Sequence, residues 1–159
     1  MKFSLAGLLI SLAILAPNLL MILLPPKEVP SGAKDAGPVF TILERLGQAG
    51  CFVLPMLVGA SFNGRALDLW FVLMAFCVMV YWALWVRYAT NGRGFRLLFE
   101  PVLGIPMPMA VFPVLAFGFA AAWGRSVWLG AAVIALAIGH LANSWRAWKA
   151  VRASGNQPG

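Results

Sequence analysis

Length, composition and charge exclude most classes of soluble protein for this chain. It has 159 residues, of which 62% are hydrophobic and only 11% are charged, whereas a soluble domain has about 45–50% apolar and about 25% charged residues. The net charge of +7 would suggest nucleic acid in a soluble protein. Here the basic residues lie between and after apolar runs, which favours contact with anionic lipid headgroups instead.

The first apolar run, 3–24, is long enough to cross a bilayer, which takes about 20 residues. The apolar part of a signal peptide is only about 7–15 residues long, so a spanning helix is the favoured interpretation. Pro17 lies inside this run and lacks a backbone donor, which predicts an irregularity in the helix.

A short amphipathic helix is predicted at 39–48, after a loop rich in proline, glycine and lysine. Its apolar residues recur at helical spacing, while Glu44, Arg45 and Gln48 fall on the other side. We expect this helix to lie in the membrane interface and to lead into a second span at 46–62.

A third span at 67–88 contains no proline or glycine and ends in a polar link, residues 87–109. This link holds three arginines, Arg87, Arg93 and Arg96. They are a topology signal, and their guanidinium groups also suit the anion of a phosphate or carboxylate headgroup.

The fourth span, 105–123, begins with two prolines, Pro106 and Pro108, on either side of Met107. Because each proline removes a backbone donor, we expect an extended or broken start to this span. Irregular backbone at membrane depth must be buried in protein or line a cavity. These three residues are therefore candidates for the wall of a binding site, although they also fit a helix start stiffened by proline.

The fifth span, 127–148, carries the single histidine of the chain, His140. His140 and Asn143 are three residues apart and so share a helix face. Ionisable groups at membrane depth are costly and are often functional; the alternative is a polar pair that joins two membrane helices. Residues 152–159 are predicted to be a disordered tail.

The distribution of Lys and Arg predicts the orientation of a single domain, 1–151, with five spans. Five spans place the termini on opposite sides, with three basic residues on the N-terminal side and nine on the other. The more basic side faces the cytoplasm, which predicts an outer N-terminus and an inner C-terminus. The nine basic residues of the inner side are Lys27, Lys34, Arg45, Arg87, Arg93, Arg96, Arg146, Lys149 and Arg152.

A polar latch is predicted at Glu44, Arg45 and Gln48, in which Glu44 reaches Arg87 or Arg93 of the polar link. The chain has no nucleotide-phosphate loop and no Cys/His cluster. We therefore predict neither a metal site nor a cofactor.

Four segments resemble an uncharacterised family of small bacterial multi-pass membrane proteins. They are LERLGQ (43–48), WVRYATNGR (85–93), GIPMPMAVFPV (104–114) and IGH (138–140). The resemblance implies a polytopic helical fold in the bacterial cytoplasmic (inner) membrane, and it carries no activity.

Three functions fit these features. The first is a binding or accessory protein that holds an amphiphile or anionic lipid headgroup in a cytoplasmic-side pocket. The second is a membrane enzyme acting on a lipid or isoprenoid, with His140 as acid or base oriented by Glu44 or Glu100. The third is a small transporter or channel that forms an oligomer, with a second copy or another membrane protein as partner. The candidate ligand-binding residues are Arg87, Arg93, Arg96, Pro106, Met107, Pro108, His140 and Asn143.

Overall fold

The computed structural model describes residues 3–29, 35–57, 62, 65–102 and 104–154, which are all-helical and contain no strand. Short 3-10 turns occur at Ala16–Asn18 and Phe95–Leu98. The helices are α1 Leu5–Leu15, α2 Leu19–Leu23, α3 Pro38–Leu57, α4 Leu69–Thr90, α5 Pro108–Gly124 and α6 Val127–Ser154.

Among the described residues, three helical segments are long and apolar enough to cross a membrane. They are Leu5–Leu23, Leu69–Thr90 and Val127–Ala153, with mean hydropathies of 2.3, 2.2 and 1.6. Helix α5 is apolar but shorter, with 17 residues. A helical membrane protein is consistent with these lengths, while the count of five crossings stays a prediction.

The helices α3 and α6 are longer than their predicted spans. The predicted interfacial helix and the second span form one helix, Pro38–Leu57, whereas the predicted end of that span at 58–61 lies outside the described residues. Helix α6 continues to Ser154, into the predicted tail, because good helix formers follow Trp148. Residues 155–159 lie outside the described residues.

Contacts at one end of the bundle, termed the Ser4 end, join helices that are distant in sequence. The backbone N–H of Ser4, before α1, donates to the carbonyl of Met56 at the end of α3 (2.9 Å). The indole of Trp123, at the end of α5, donates to the carbonyl of Ala66 before α4 (3.1 Å). Helix starts therefore meet helix ends here, so neighbouring helices run in opposite directions.

The opposite end, termed the Tyr88 end, gathers the other termini. The hydroxyl of Tyr88 in α4 donates to the carbonyl of Leu24 after α2 (3.0 Å). The backbone N–H of Ala36, before α3, donates to Oδ1 of Asn143 in α6 (2.7 Å). The polar link and the C-terminal part of α6 therefore lie at the same end of the bundle.

The predicted irregularity at Pro17 is confirmed, and a side chain from α4 compensates for it. Pro17 has no N–H, so the carbonyl of Ala13, four residues earlier, loses its helical partner. The indole N–H of Trp82 donates to this carbonyl at 2.8 Å. This contact fixes the first helical rod against α4.

Pro55 likewise leaves one backbone carbonyl of α3 without its helical N–H donor. The carbonyl left without a helical donor is that of Cys51, and the hydroxyl of Ser11 in α1 lies 3.3 Å from it and 3.1 Å from the carbonyl of Phe52. Gly7 packs so closely that a Cβ there would overlap the carbonyl of Pro55. Close approach and hydroxyl donation together join α1 to α3.

The broken start predicted for the fourth span is also confirmed. Met107 has a left-handed backbone (φ 50°), and α5 begins at Pro108, where a missing N–H costs no helical hydrogen bond. Met107 and Pro108 are buried, while Pro106 is exposed. The irregular backbone is therefore partly enclosed by protein.

Candidate functional site

The crossing of α3 and α6 depends on glycines that bring the two backbones into contact. A Cβ at Gly139 would overlap the backbone of Phe40 and Glu44, and one at Gly47 would overlap the backbone of Leu136. Small residues at helix crossings allow this close approach. As a result, the polar residues that follow Gly139 in α6 face Glu44 directly.

Three polar side chains meet at this crossing, termed the Glu44 cluster: Glu44, His140 and Asn143. Nδ1 of His140 lies 2.6 Å from one carboxylate oxygen of Glu44. The amide nitrogen of Asn143 donates to the other oxygen at 2.5 Å, while its amide oxygen accepts from the backbone of Ala36. The cluster thus ties α6 both to α3 and to the segment before α3.

The charge of Glu44 determines how the cluster is bonded. An ionised carboxylate can only accept, so Nδ1 of His140 carries the proton in this contact. The hydrogen bond from His140 lowers the pKa of the Glu44 carboxyl, burial acts against this, and the bond from Asn143 lowers it further. Glu44 lies just ahead of the predicted second span, and its side chain is 21% exposed. The two oxygens of Glu44 therefore accept from His140 and Asn143 at the same time.

Glu44 has a different partner from the one predicted for the polar latch. Its carboxylate binds His140 and Asn143, whereas Arg87 pairs with Glu100. The helical crossing explains the difference, because α3 packs on α6 at this level. Arg45 is exposed and Gln48 is half-buried on α3.

The polar link supplies a second group of charges at the Tyr88 end. Arg87 forms an ion pair with one oxygen of Glu100. Nε of Arg96 lies 4.0 Å from the other oxygen, and the Arg96 side chain is 75% exposed. Glu100 therefore holds Arg87 firmly and Arg96 only loosely.

A hollow of about 390 Å³, termed the arginine cavity, opens between the polar link and the C-terminal part of α6. The guanidinium of Arg152 lies over the Trp148 ring, 4.7 Å from its centroid. The cavity combines positive charge with aromatic and aliphatic walls. It is lined by Arg96, Phe99, Glu100, Pro101, Trp148, Val151 and Arg152.

The remaining predicted residues lie elsewhere. Arg93 has a left-handed backbone (φ 61°), and its carbonyl accepts from the N–H of Lys27 (2.9 Å). This hydrogen bond brings the polar link against the loop that follows α2. Pro106 and Met107 precede α5 and Pro108 begins it, and none of the three lines the arginine cavity.

Two residues of the cavity, Trp148 and Arg152, were missed as site residues. Their spacing of four residues places them on one helix face, which is a usable signal for a cation–π pair. That they face the polar link depends on the packing of α6, and the spacing alone does not indicate it.

No protein-family model, curated protein or solved structure matches this chain. The resemblance to bacterial multi-pass proteins therefore stays a prediction. Some of the described helices are long and apolar enough to cross a membrane. They support the broader prediction that this is a membrane protein.

Proposed function

We propose that this protein binds an anionic amphiphile at the cytoplasmic face of a membrane, as a binding or accessory protein. The observation that carries the proposal is the arginine cavity, where Arg96 and Arg152 stand beside Phe99 and Trp148. Guanidinium groups suit the anionic headgroup, and the aromatic walls suit the first carbons of an acyl or isoprenoid chain.

The length of α6 supports a cavity at headgroup level. Its 28 residues span about 42 Å at 1.5 Å per residue, which exceeds the hydrocarbon core of about 30 Å. The last turns, with Trp148 and Arg152, then extend past the core on the more basic side. Trp at the membrane interface and Arg towards the cytoplasm fit the usual distribution of these residues.

The proposal includes five crossings with an outer N-terminus. Support comes from the alternating helix directions, which place the basic polar link and the end of α6 at one end. The shorter α5, most of whose residues are buried, crosses in this arrangement among its longer neighbours.

Lipids retained after mild detergent extraction, identified by mass spectrometry, test the proposal. Wild-type protein is expected to retain an anionic amphiphile, while Arg96→Ala and Arg152→Ala lose most of it. Arg146→Ala is the matched control, because Arg146 is an exposed arginine of α6 that does not line the cavity. Equal retention by all three variants would remove the cavity from the proposal.

A membrane enzyme acting on a lipid or isoprenoid is the second candidate, favoured by the contact between Glu44 and His140. A carboxylate that orients an imidazole is a common arrangement for general acid–base catalysis. In this case His140→Ala abolishes turnover of a lipid or isoprenoid substrate by folded protein. His140→Gln retains a hydrogen-bonding side chain and can preserve the helix crossing. Loss of turnover in folded His140→Gln would then show that the chemistry of the imidazole is needed.

A further inference from the structure

The charges around the arginine cavity leave a surplus of positive charge. Arg96, Arg152 and Glu100 line it. Arg87 does not line the cavity, but it forms an ion pair with Glu100. Three guanidinium groups thus face one carboxylate, which leaves two positive charges uncompensated within this group.

Two of these guanidinium groups have hydrogen-bond donors to offer a ligand. The contact between Nε of Arg96 and Glu100 is long, at 4.0 Å, and the Arg96 side chain is mostly exposed. Its terminal nitrogens can therefore turn towards the cavity. Arg152 is held over the Trp148 ring. Stacking uses the face of the guanidinium and leaves its N–H edge available for oxygen acceptors. The cavity therefore presents two forks, one from the polar link and one from α6.

A phosphomonoester matches two forks better than a phosphodiester does. It has three terminal oxygens and carries about −1.5 to −2 charge at pH 7, whereas a diester has two free oxygens and a single charge. Each fork binds best to a pair of oxygens. Resting on the proposed function, we infer that the headgroup bound in the arginine cavity ends in a phosphomonoester.

The pH dependence of this preference follows from the ligand. The second pKa of a phosphomonoester is about 6, so its extra charge is present at about pH 7.5 and is lost towards pH 5. The charged groups that face the phosphate are Arg96 and Glu100 of the polar link, Arg152 of α6 and, behind Glu100, Arg87 of α4. The preference is therefore expected to weaken on acidification.

Binding of two lipids with identical acyl chains tests the inference, using the purified full chain in detergent. Phosphatidic acid supplies the monoester and phosphatidylglycerol the diester. At about pH 7.5 we expect phosphatidic acid to bind at least about tenfold more tightly, a factor that one further charge-assisted hydrogen bond supplies. Equal affinity would overturn the inference and leave the proposed function standing, whereas binding of neither lipid would overturn both.

Inorganic phosphate distinguishes a lipid from a soluble source of the same group. Binding of phosphate alone as tightly as phosphatidic acid would support the phosphomonoester and overturn the amphiphile. Weaker phosphate binding would support a lipid, because the acyl chain then contributes contacts.

A charge-conserving substitution tests the role of the fork. Arg152→Lys keeps the positive charge but loses the planar pair of donors, so we expect about tenfold weaker binding of phosphatidic acid and little change for phosphatidylglycerol. Arg146→Lys, at an exposed position of the same helix, is expected to change neither. Wild-type affinity for phosphatidic acid in Arg152→Lys would overturn the assignment.

Discussion

Single side chains in this protein form hydrogen bonds with backbone and charged groups that have no partner within their own helix. Glu44 accepts from His140 and Asn143 with its two oxygens, and Asn143 also accepts from the backbone of Ala36. Trp82 supplies the donor that Pro17 removes from the carbonyl of Ala13. Such contacts carry more weight in a mostly apolar helical bundle, where water is scarce.

Glu44→Gln is expected to lower stability by about 1 kcal/mol near neutral pH, since hydrogen bonds to a charged group exceed neutral ones. Because the folded protein lowers the pKa of Glu44, its stabilising effect is complete above the ordinary carboxyl pKa of 4.5 and is lost as pH falls through the lowered value. Thermal unfolding of both proteins in detergent at several pH values measures this.

The exposed carboxyl of Glu28 provides the control for this substitution. Because Glu28 is exposed, Glu28→Gln is expected to have the stability of the wild-type protein near neutral pH. A stability difference for Glu44→Gln that stayed constant on acidification would contradict the role given to the Glu44 carboxylate.

Trp82→Phe is expected to destabilise the protein by about 0.5–1 kcal/mol, the usual range for a hydrogen bond between membrane helices. The ring is retained, but the carbonyl of Ala13 loses its donor. Thermal unfolding compared with Trp70→Phe provides the measure, because Trp70 and Trp82 lie on α4 and are 44% and 42% exposed. Equal losses for the two variants would argue against capping.

At the scale of helices, proline and glycine determine which elements pair. Pro55 leaves a carbonyl in α3 that Ser11 of α1 binds, and Gly139 lets α6 reach the backbone of α3. The prolines are visible in the sequence, and the irregularity at Pro17 was predicted from it. The donors that compensate for the prolines were not predicted, because they come from residues 40 and 69 positions away from the carbonyls that they bind.

A double-mutant cycle of Ser11→Ala and Pro55→Ala tests the first pairing. Ser11→Ala alone removes the donor to Cys51 and should cost about 0.5–1 kcal/mol. In the Pro55→Ala background, the new N–H of residue 55 serves the same carbonyl, so the cost of Ser11→Ala should largely disappear. Additive unfolding free energies would show that the hydroxyl does not compensate for Pro55.

Two glycines of α6 give a matched test of the α3–α6 crossing. Gly130→Ala is expected to be neutral or to stabilise, because a Cβ there meets nothing within 4 Å and Ala favours the helix by about 1 kcal/mol. Gly139→Ala is expected to destabilise and to separate His140 from Glu44. Similar unfolding temperatures for the two variants would contradict the close crossing.

At the scale of the whole molecule, the proposed topology places the Tyr88 end in the cytoplasm and the Ser4 end outside. Single cysteines report this in a chain whose buried cysteines, Cys51 and Cys77, are replaced by alanine. Lys27→Cys is exposed at the Tyr88 end and Val127→Cys, 83% exposed, at the Ser4 end.

We expect a membrane-impermeant maleimide added to intact cells to label Val127→Cys but not Lys27→Cys. Labelling of both after permeabilisation provides the control. The reverse pattern would invert the orientation, and labelling of both in intact cells would exclude an odd number of crossings between positions 27 and 127.

How much of the molecule the sequence predicts depends on the range of the interactions involved. Helical periods and the proline-broken start at Met107 arise from neighbours in the chain, so they were predicted. The convergence of Glu44 with His140, and of Arg152 with the polar link, arises from packing between helices. No local pattern contains that information, and the predicted polar latch therefore had the right residue, Glu44, with the wrong partner.

The capping of Ala13 by Trp82 has a consequence for biogenesis. The two residues are 69 positions apart, so the ribosome completes the first hydrophobic segment well before the indole exists. Until α4 is made, we expect the carbonyl of Ala13 to be hydrogen-bonded by water or by the translocation machinery. The contact between the first helical rod and α4 therefore forms only after the middle third of the chain has been made.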